Sequence, residues 1–189
     1  MPVHVFVYGT LRAGQYYRPL IDAYVAGTEP ARAFGLLYDL GPYPAMIAER
    51  ANLNARTGDE ASGQPIGAAA DAVFADAIAD IVAEAAANIV TGELLRLRNP
   101  QEAIRVMDEI EQYYGPGDSR NEYERIVVRV STATGADIDC YCYSYAQPQK
   151  LPLIGKRIPG GDWLRRHNAA ATDAGFIIAP NSPYRPNPE

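Results

Sequence analysis

The chain has little with which to hold a metal, close a disulfide or grip a polyanion. Of its 189 residues only two are histidine, His4 and His167, and only two are cysteine, Cys140 and Cys142. The cysteines lie two apart in Ile138 to Tyr145, which reads as a strand, so their side chains leave the same face with parallel Cβ vectors. That geometry suits a disulfide poorly. A metal centre would have to draw further ligands from the two histidines or from carboxylates, and the expectation is two small buried thiols instead. Positive charge is in the minority: 17 lysines and arginines face 23 aspartates and glutamates, for a net charge of -6. No basic run interleaves with aromatics, so nucleic acid is not an expected partner. No apolar stretch approaches the roughly 18 residues of a membrane span, and a membrane is not expected either. The opening MPVHVFVYG shows neither a basic flank nor a cleavage site, so the expected setting is soluble and cytoplasmic.

What the chain does have is apolar content, 48%, and 13 tyrosines, enough for one well-packed domain with an insertion. That domain is read as residues 1–168, with the insertion over 51–88 and a proline-rich tail over 169–189. Its organising stretch is Val5 to Gly14, VFVYGTLRAG. Val3, Val5 and Val7 point to one side of an extended segment and His4, Phe6 and Tyr8 to the other, which describes a strand buried on both faces. Gly9 permits a turn closed to residues with a Cβ, and the N–H groups of Tyr8, Gly9, Thr10 and Leu11 can converge on an anion. Arg12 is the nearest fixed cation; it could pair with a substrate carboxylate or point to solvent.

Further along, Gln15 to Ala23 can make one or two helical turns interrupted by Pro19. Ala31 to Ile47 reads as a strand, a Gly-Pro turn and a second strand. Ala51 to Asn88 starts as a Gly-rich polar loop and continues as an amphipathic helix, with Asp76, Asp80 and Glu84 on a solvated face. This block is expected to cap or border a pocket, or to mediate self-association as a homodimer. Ile89 to Arg98 is a strand carrying Glu93, expected to pair with an arginine such as Arg96 or Arg125.

Asn99-Pro100-Gln101-Glu102 signals a helix start, with Asn99 as N-cap, Pro100 at the first position and Glu102 closing a capping box. At about 100° per residue, Ala103, Ile104, Met107, Ile110 and Tyr114 fall in one inward sector, and Glu111 falls among them. A carboxylate on the buried stripe of an amphipathic helix is costly as an ion unless paired. Desolvation would raise its pKa toward neutrality, where a proton shuttle works. A structural arginine or tyrosine partner is the competing explanation. After the loop Tyr113 to Asn121, which suggests mobility near the pocket, Tyr123 to Val130 is a strand. In Ile138 to Tyr145, Tyr141, Tyr143 and Tyr145 form a stripe opposite the cysteines.

These segments, in this order, resemble the γ-glutamylcyclotransferase-like superfamily, particularly its γ-glutamylamine cyclotransferase-like branch. The resemblance rests on Tyr8-Gly9-Thr10-Leu11 after the first strand, Gly35-Leu36-Leu37-Tyr38 with Tyr43-Pro44-Ala45, Val90-x-Gly92-Glu93-Leu94, Met107-Asp108-x-x-Glu111, Tyr123-x-Arg125, and Gly161-Asp162-Trp163. Tyr17 stands where the family suggests Asn, and Gln112 where Gly is common. The fold implied is α+β, a mixed barrel-like sheet with helices packed around it and a pocket at one end. Trp163 is expected to anchor a terminal helix.

The activity implied is intramolecular aminolysis of a γ-glutamyl amine or amino acid, giving 5-oxoproline and a free amine. Glu111 would be the catalytic acid/base. Tyr8, Gly9, Thr10, Leu11 and Arg12 would bind the small-molecule γ-glutamyl substrate, with Tyr123 and Tyr143 shaping the pocket. The scheme gives no role to a metal or an organic cofactor. Two alternatives share the fold: a catalytically silent module binding a small carboxylate, and an amidohydrolase in which Glu111 activates water.

Overall fold

The computed structural model describes residues 3–51 and 88–166. The helix expected within the 51–88 insertion, its acidic face and the 169–189 tail lie outside the described residues. Among the described residues seven strands make the sheet: β1 (His4–Val7), β2 (Val25–Asp39), β3 (Pro44–Ala48), β4 (Ile89–Leu97), β5 (Tyr123–Thr132), β6 (Asp137–Tyr145) and β7 (Lys156–Arg157). Helix α1 (Pro100–Ile110) connects β4 to β5, and α2 (Leu151–Ile154) is a single turn.

Five strands close a barrel in the order β2-β4-β1-β6-β5, with β5 pairing back onto β2 through Ala31 to Ala33. Every pairing is antiparallel except β1 with β6. The expected mixed, barrel-like α+β architecture is therefore the observed one. The closing strand is longer than its sequence suggests: β2 runs 15 residues from Val25, not from Ala31. Gly27 and Pro30 both lie within it, and the register shift between Val25 and Gly27 absorbs the local irregularity as a bulge. Beyond Phe34 the strand leaves the barrel, where Gly35 to Asp39 pairs with β3 and its last two residues with β7.

Strand alternation divides the apolar side chains into two layers. Phe6, Leu94, Val128 and Val130 belong to the cluster that fills the barrel, together with Cys140 and Cys142. Val5, Val7, Leu95 and Leu97 face outward beneath Ala103, Ile104 and Met107 of α1. Strand β1 is thus buried on both sides, one face plugging the barrel and the other forming the floor of the helix. The cysteines are free and fully buried, and burial pushes the Cys140 thiol up to about 12.

Local signals at the helix ends are realised differently from the expectation. Asn99 occupies the N-cap position in the left-handed region (φ 45°) and its side chain makes no capping bond. A capping box needs an extended N-cap, whose side chain then faces the free amides of the first turn. Glu102 turns instead to Arg105 (2.8 Å). The helix stops at Ile110, so Tyr114 is exposed and not on the inward stripe. Near the last described residues Trp163 is buried in a 3-10 turn, Trp163–Arg165; the terminal helix it was expected to anchor would follow residue 166 and lies outside the described residues.

The close approach of β1 to β4 depends on Gly92. A Cβ there would meet the Val7 carbonyl oxygen and come within 2.6 Å of the Phe6 ring. Gly92→Ala is expected to lower stability by about 1–3 kcal/mol through overpacking, read as a drop in the urea midpoint with an unchanged m-value.

Candidate active site

Parallel pairing puts the C-terminal ends of β1 and β6 on the same rim of the barrel, and antiparallel pairing brings the first residue of β5 to that rim. A cavity of about 330 Å³ opens there. Tyr8 to Leu11 line one side, Tyr123, Tyr143 and Tyr145 another, and Ile110, Glu111 and Gln112 at the end of α1 a third. Gly9 lets the β1 turn lie against Pro44, whose ring a Cβ would strike. Within the turn the Arg12 amide donates to the Gly9 carbonyl at 3.0 Å. The amides of Gly9, Thr10 and Leu11 donate to no acceptor among the described residues. Consecutive free amides on a concave wall form a site for anionic or carbonyl oxygen.

Glu111 follows the last residue of α1 and bends away from helical geometry (φ -87°, ψ 4°), with its amide still bonded to Met107 O at 2.9 Å. Glu111 lines the cavity, and its carboxyl has no hydrogen-bond or ion-pair partner among the described residues. Neither a structural arginine nor a tyrosine is aimed at it. Burial, reinforced by the negative charge of Glu122, pushes its pKa up to about 8. A carboxyl with that pKa can take up and give back a proton at neutral pH.

The next residue, Gln112, sits in the left-handed region (φ 52°), the position after a helix that favours glycine. Its side chain supplies a contact that glycine could not. Gln112 Nε2 donates to one oxygen of Glu122 at 2.7 Å, and the Tyr43 hydroxyl donates to the other at 2.6 Å. Glu122, Gln112 and Tyr43 all line the cavity, and sequence reasoning assigned none of them to the site. Tyr43 stood within a quoted Tyr-Pro-Ala element and Glu122 just before a quoted Tyr-x-Arg, but no spacing joins residues 79 positions apart.

The tyrosine hydroxyls of the wall are also committed. Tyr8 donates to the Tyr143 carbonyl (2.7 Å) and Tyr123 to the Pro44 carbonyl (3.0 Å). Tyr143 donates to Asp108 (2.7 Å). Burial raises all three well above the ordinary phenol value, so the wall is neutral at physiological pH. Asp108 also accepts from Arg125 at 2.6 and 2.8 Å, and that guanidinium lies against the rings of Tyr113 and Tyr141. This explains why an aspartate precedes Glu111 by three residues and why an arginine follows Tyr123 by two: together they fix the helix against β5 and β6.

Arg12 does not reach the cavity, nor is it exposed. Its guanidinium turns behind the loop to Asp162 (2.9 Å) and approaches Glu93 at 3.6 Å. Glu93 does not meet Arg96 or Arg125; its partners are Arg12, Arg18 (3.3 Å) and the Ala13 amide (3.0 Å). Arg96 is three positions along the same strand and so faces the other way. The cluster braces the β1 turn from behind. Tyr17, by contrast, lines the cavity and its amide holds the Thr10 carbonyl at 3.0 Å.

The loop from Tyr113 to Asn121 is tied down. Buried Asn121 donates to the Gly115 carbonyl and to Glu124, and accepts from the Tyr114 amide, all within 2.8 Å. At the cavity mouth Arg120 is occupied by Asp118, whose carboxyl it holds down at about 2. No group of three or more histidines, cysteines or carboxylates among the described residues could hold a metal ion. No helix among them is long and apolar enough to cross a membrane.

Comparison with known proteins identifies a family. Residues 5–64 and 65–165 match the model of the family described as gamma-glutamyl cyclotransferase, AIG2-like. A curated relative, the gamma-L-glutamyl-butirosin B gamma-glutamyl cyclotransferase of Niallia circulans, is 26% identical over 133 residues, covering 70% of this chain and 60% of that protein. The chain thus spans about three fifths of that relative's length. Among solved structures, YkqA from Bacillus subtilis superposes with a TM-score of 0.50 at 20% identity, over 89% of this chain and 42% of that one. An AIG2-like protein from Mus musculus gives 0.44 at 19% identity, over 76% and 77%.

The raised pKa of Glu111 makes a stability prediction. Unfolded, this carboxyl ionises near 4.5; folded, only near 8. Between those values the unfolded chain has released a proton that the native state keeps, so stability falls as pH rises. Glu111→Gln removes that penalty. Urea unfolding at pH 5, 6.5 and 8 is expected to show a growing advantage for the variant, approaching about 4 kcal/mol at pH 8.

Proposed function

Starting from the fact that the chain belongs to the gamma-glutamyl cyclotransferase, AIG2-like family, we propose that it releases 5-oxoproline and a free amine from a γ-glutamyl amine or amino acid, with Glu111 as the acid/base. The observation that carries this reading is the unpartnered Glu111 carboxyl, with a pKa near 8, on the same cavity as the free amides of Gly9 to Leu11. Family membership and the curated relative support cyclotransferase activity in general.

The reaction asks for two things. The substrate must be held so that its α-nitrogen faces its own γ-carbonyl, and two protons must pass in turn from that nitrogen to the departing one. Holding an intramolecular nucleophile in line is worth roughly 7–11 kcal/mol against a bimolecular reaction. The ionised Glu111 takes a proton from the α-ammonium, and the freed amine attacks the carbonyl carbon of the γ-glutamyl amide. The C–N bond of the ring forms, and the carbonyl oxygen gains charge that amides of the β1 turn can accept. Glu111 returns that proton to the departing nitrogen as the original amide bond breaks, then takes the surplus proton from the ring nitrogen and passes it to the released amine, so that the lactam is neutral and the amine leaves as an ammonium. The neutral tyrosine wall keeps water out without competing for the proton, and the cysteines, buried as thiols inside the barrel, take no part.

Wild type and Glu111→Gln, incubated with a panel of γ-glutamyl amines and γ-glutamyl amino acids, test the reading by mass spectrometry of 5-oxoproline. Wild type is expected to form it, and the folded variant to lose about 10²–10⁴ in kcat. Free glutamate in place of 5-oxoproline would identify an amidohydrolase. Binding without any turnover would identify a silent module.

For wild type, kcat/KM is expected to fall below about pH 8 as Glu111 takes up its proton, and to fall again at higher pH as the α-ammonium loses its own. A pH profile on the preferred substrate checks both limbs.

A further inference from the structure

Glu122 has no part in the chemistry above, yet its setting is unlike that of the other carboxylates built into the walls. Glu93, Asp108 and Asp162 each hold an arginine. Glu122 stands at the cavity, and no ion pair among the described residues includes it. Its two oxygens are held by neutral donors, the Tyr43 hydroxyl at 2.6 Å and the Gln112 amide at 2.7 Å. Its own backbone N–H donates to the Gln112 carbonyl at 3.2 Å, and the Ala146 amide donates to its carbonyl at 2.9 Å. Hydrogen bonds from neutral groups fix the carboxylate in place but leave its charge uncompensated, with lone pairs to spare. Among the described residues the one arginine lining the cavity, Arg120, is engaged by Asp118.

A γ-glutamyl group brings a carboxylate, a carbonyl and an ammonium. The amides of the β1 turn serve the oxygens. The ammonium has three donors and needs acceptors of opposite charge. Among the described residues two carboxylates line the cavity, and they differ in how they are held: Glu122 is clamped and Glu111 has no partner. A clamped carboxylate suits binding, and an unattached one suits proton transfer. Two like charges in one cavity also favour leaving one of them protonated until a cation arrives.

We propose that Glu122 is the ammonium-binding carboxylate of the site, receiving the α-ammonium of a γ-glutamyl substrate and presenting it to Glu111. This rests on the cyclotransferase reading. The site therefore selects γ-glutamyl compounds with a free, charged α-amine, and discriminates against the corresponding glutaryl amides, which lack only that group. The clamp acts through Glu122: Tyr43 and Gln112 position the carboxylate and do not bind the ammonium themselves.

The test is a cycle on binding, run where turnover is blocked. In the Glu111→Gln protein, calorimetry measures Kd for γ-L-glutamyl-n-butylamine and for N-butylglutaramate, which differ by the α-ammonium alone. The same pair is measured with Glu122→Gln added. The amine-bearing ligand is expected to bind at least about tenfold tighter when Glu122 is present, and the ratio to collapse to within about twofold when it is absent. The affinity for N-butylglutaramate should stay nearly constant throughout. Should the double variant fail to fold, Glu122→Asp, which retracts the charge from both clamp donors, is expected to reduce the ratio by at least about threefold. With Glu111 intact, Glu122→Gln should raise KM for the panel's preferred substrate more than it lowers kcat. A ratio that persists without Glu122, while wild type makes 5-oxoproline, would overturn this inference alone. Absence of 5-oxoproline from the whole panel would overturn the cyclotransferase reading and the inference with it.

Discussion

A barrel of five strands has no room for a ligand inside it. Eight strands leave an interior that side chains just fill, and fewer leave less. Here Phe6, Leu94, Val128, Val130 and the two cysteines occupy the space, and even Gly92 must stay without a side chain so that Phe6 fits. Whatever the molecule binds must therefore sit on the rim. The parallel pairing of β1 with β6 then selects the rim, because it gathers the end of β1, the end of β6 and the start of β5 in one place.

The rim works only if the turn after β1 keeps its place in the cavity wall, and the force that holds it comes from behind. Arg12, Arg18, Glu93 and Asp162 form a cluster of side chains that joins the turn, β4 and the C-terminal 3-10 turn. Removing one member of such a buried set leaves its partners charged and unpaired, at a cost of about 3–5 kcal/mol. Asp162, next to the buried Trp163, thereby ties the far end of the chain to the loop nearest its start. Asp108 does the same for the helix, joining Arg125 and Tyr143 one turn below Glu111.

Electrostatics at the rim follow a division between paired and unpaired carboxylates. Those that brace the fold have arginine partners. Those that face the cavity have none, and the result is a proton held on Glu111 at neutral pH. The left-handed backbone at Gln112 belongs to the same arrangement. Glycine would adopt it without strain, but only a side chain there can reach Glu122 across the mouth of the loop, so a small local strain is exchanged for a fixed carboxylate.

Much of this was written in local pattern. The two-sided apolar alternation of Val5 to Tyr8, the helical stripe that captured Glu111 and the opposed cysteine and tyrosine faces of β6 are periodicities of neighbouring residues, and neighbours are what a sequence displays. The turn of Tyr8 to Leu11 was legible for the same reason. Where the chain is read by proximity along itself, it misleads at positions whose partners are distant. Arg12 looked like a substrate cation because Asp162 is 150 residues away. Glu93 looked like a partner for Arg96 until strand alternation turned the two apart, and Asn99 looked like a cap until its backbone turned left-handed. The Tyr43–Glu122–Gln112 clamp left no trace in spacing. Barrel closure through Ala31 to Ala33, and the meeting of three segments at one rim, depend on contacts across the whole chain. Sequence alone thus determined which faces are buried and which carboxylate is out of place, because those follow from backbone periodicity; only the tertiary structure decided which charges meet, because that follows from closing the sheet.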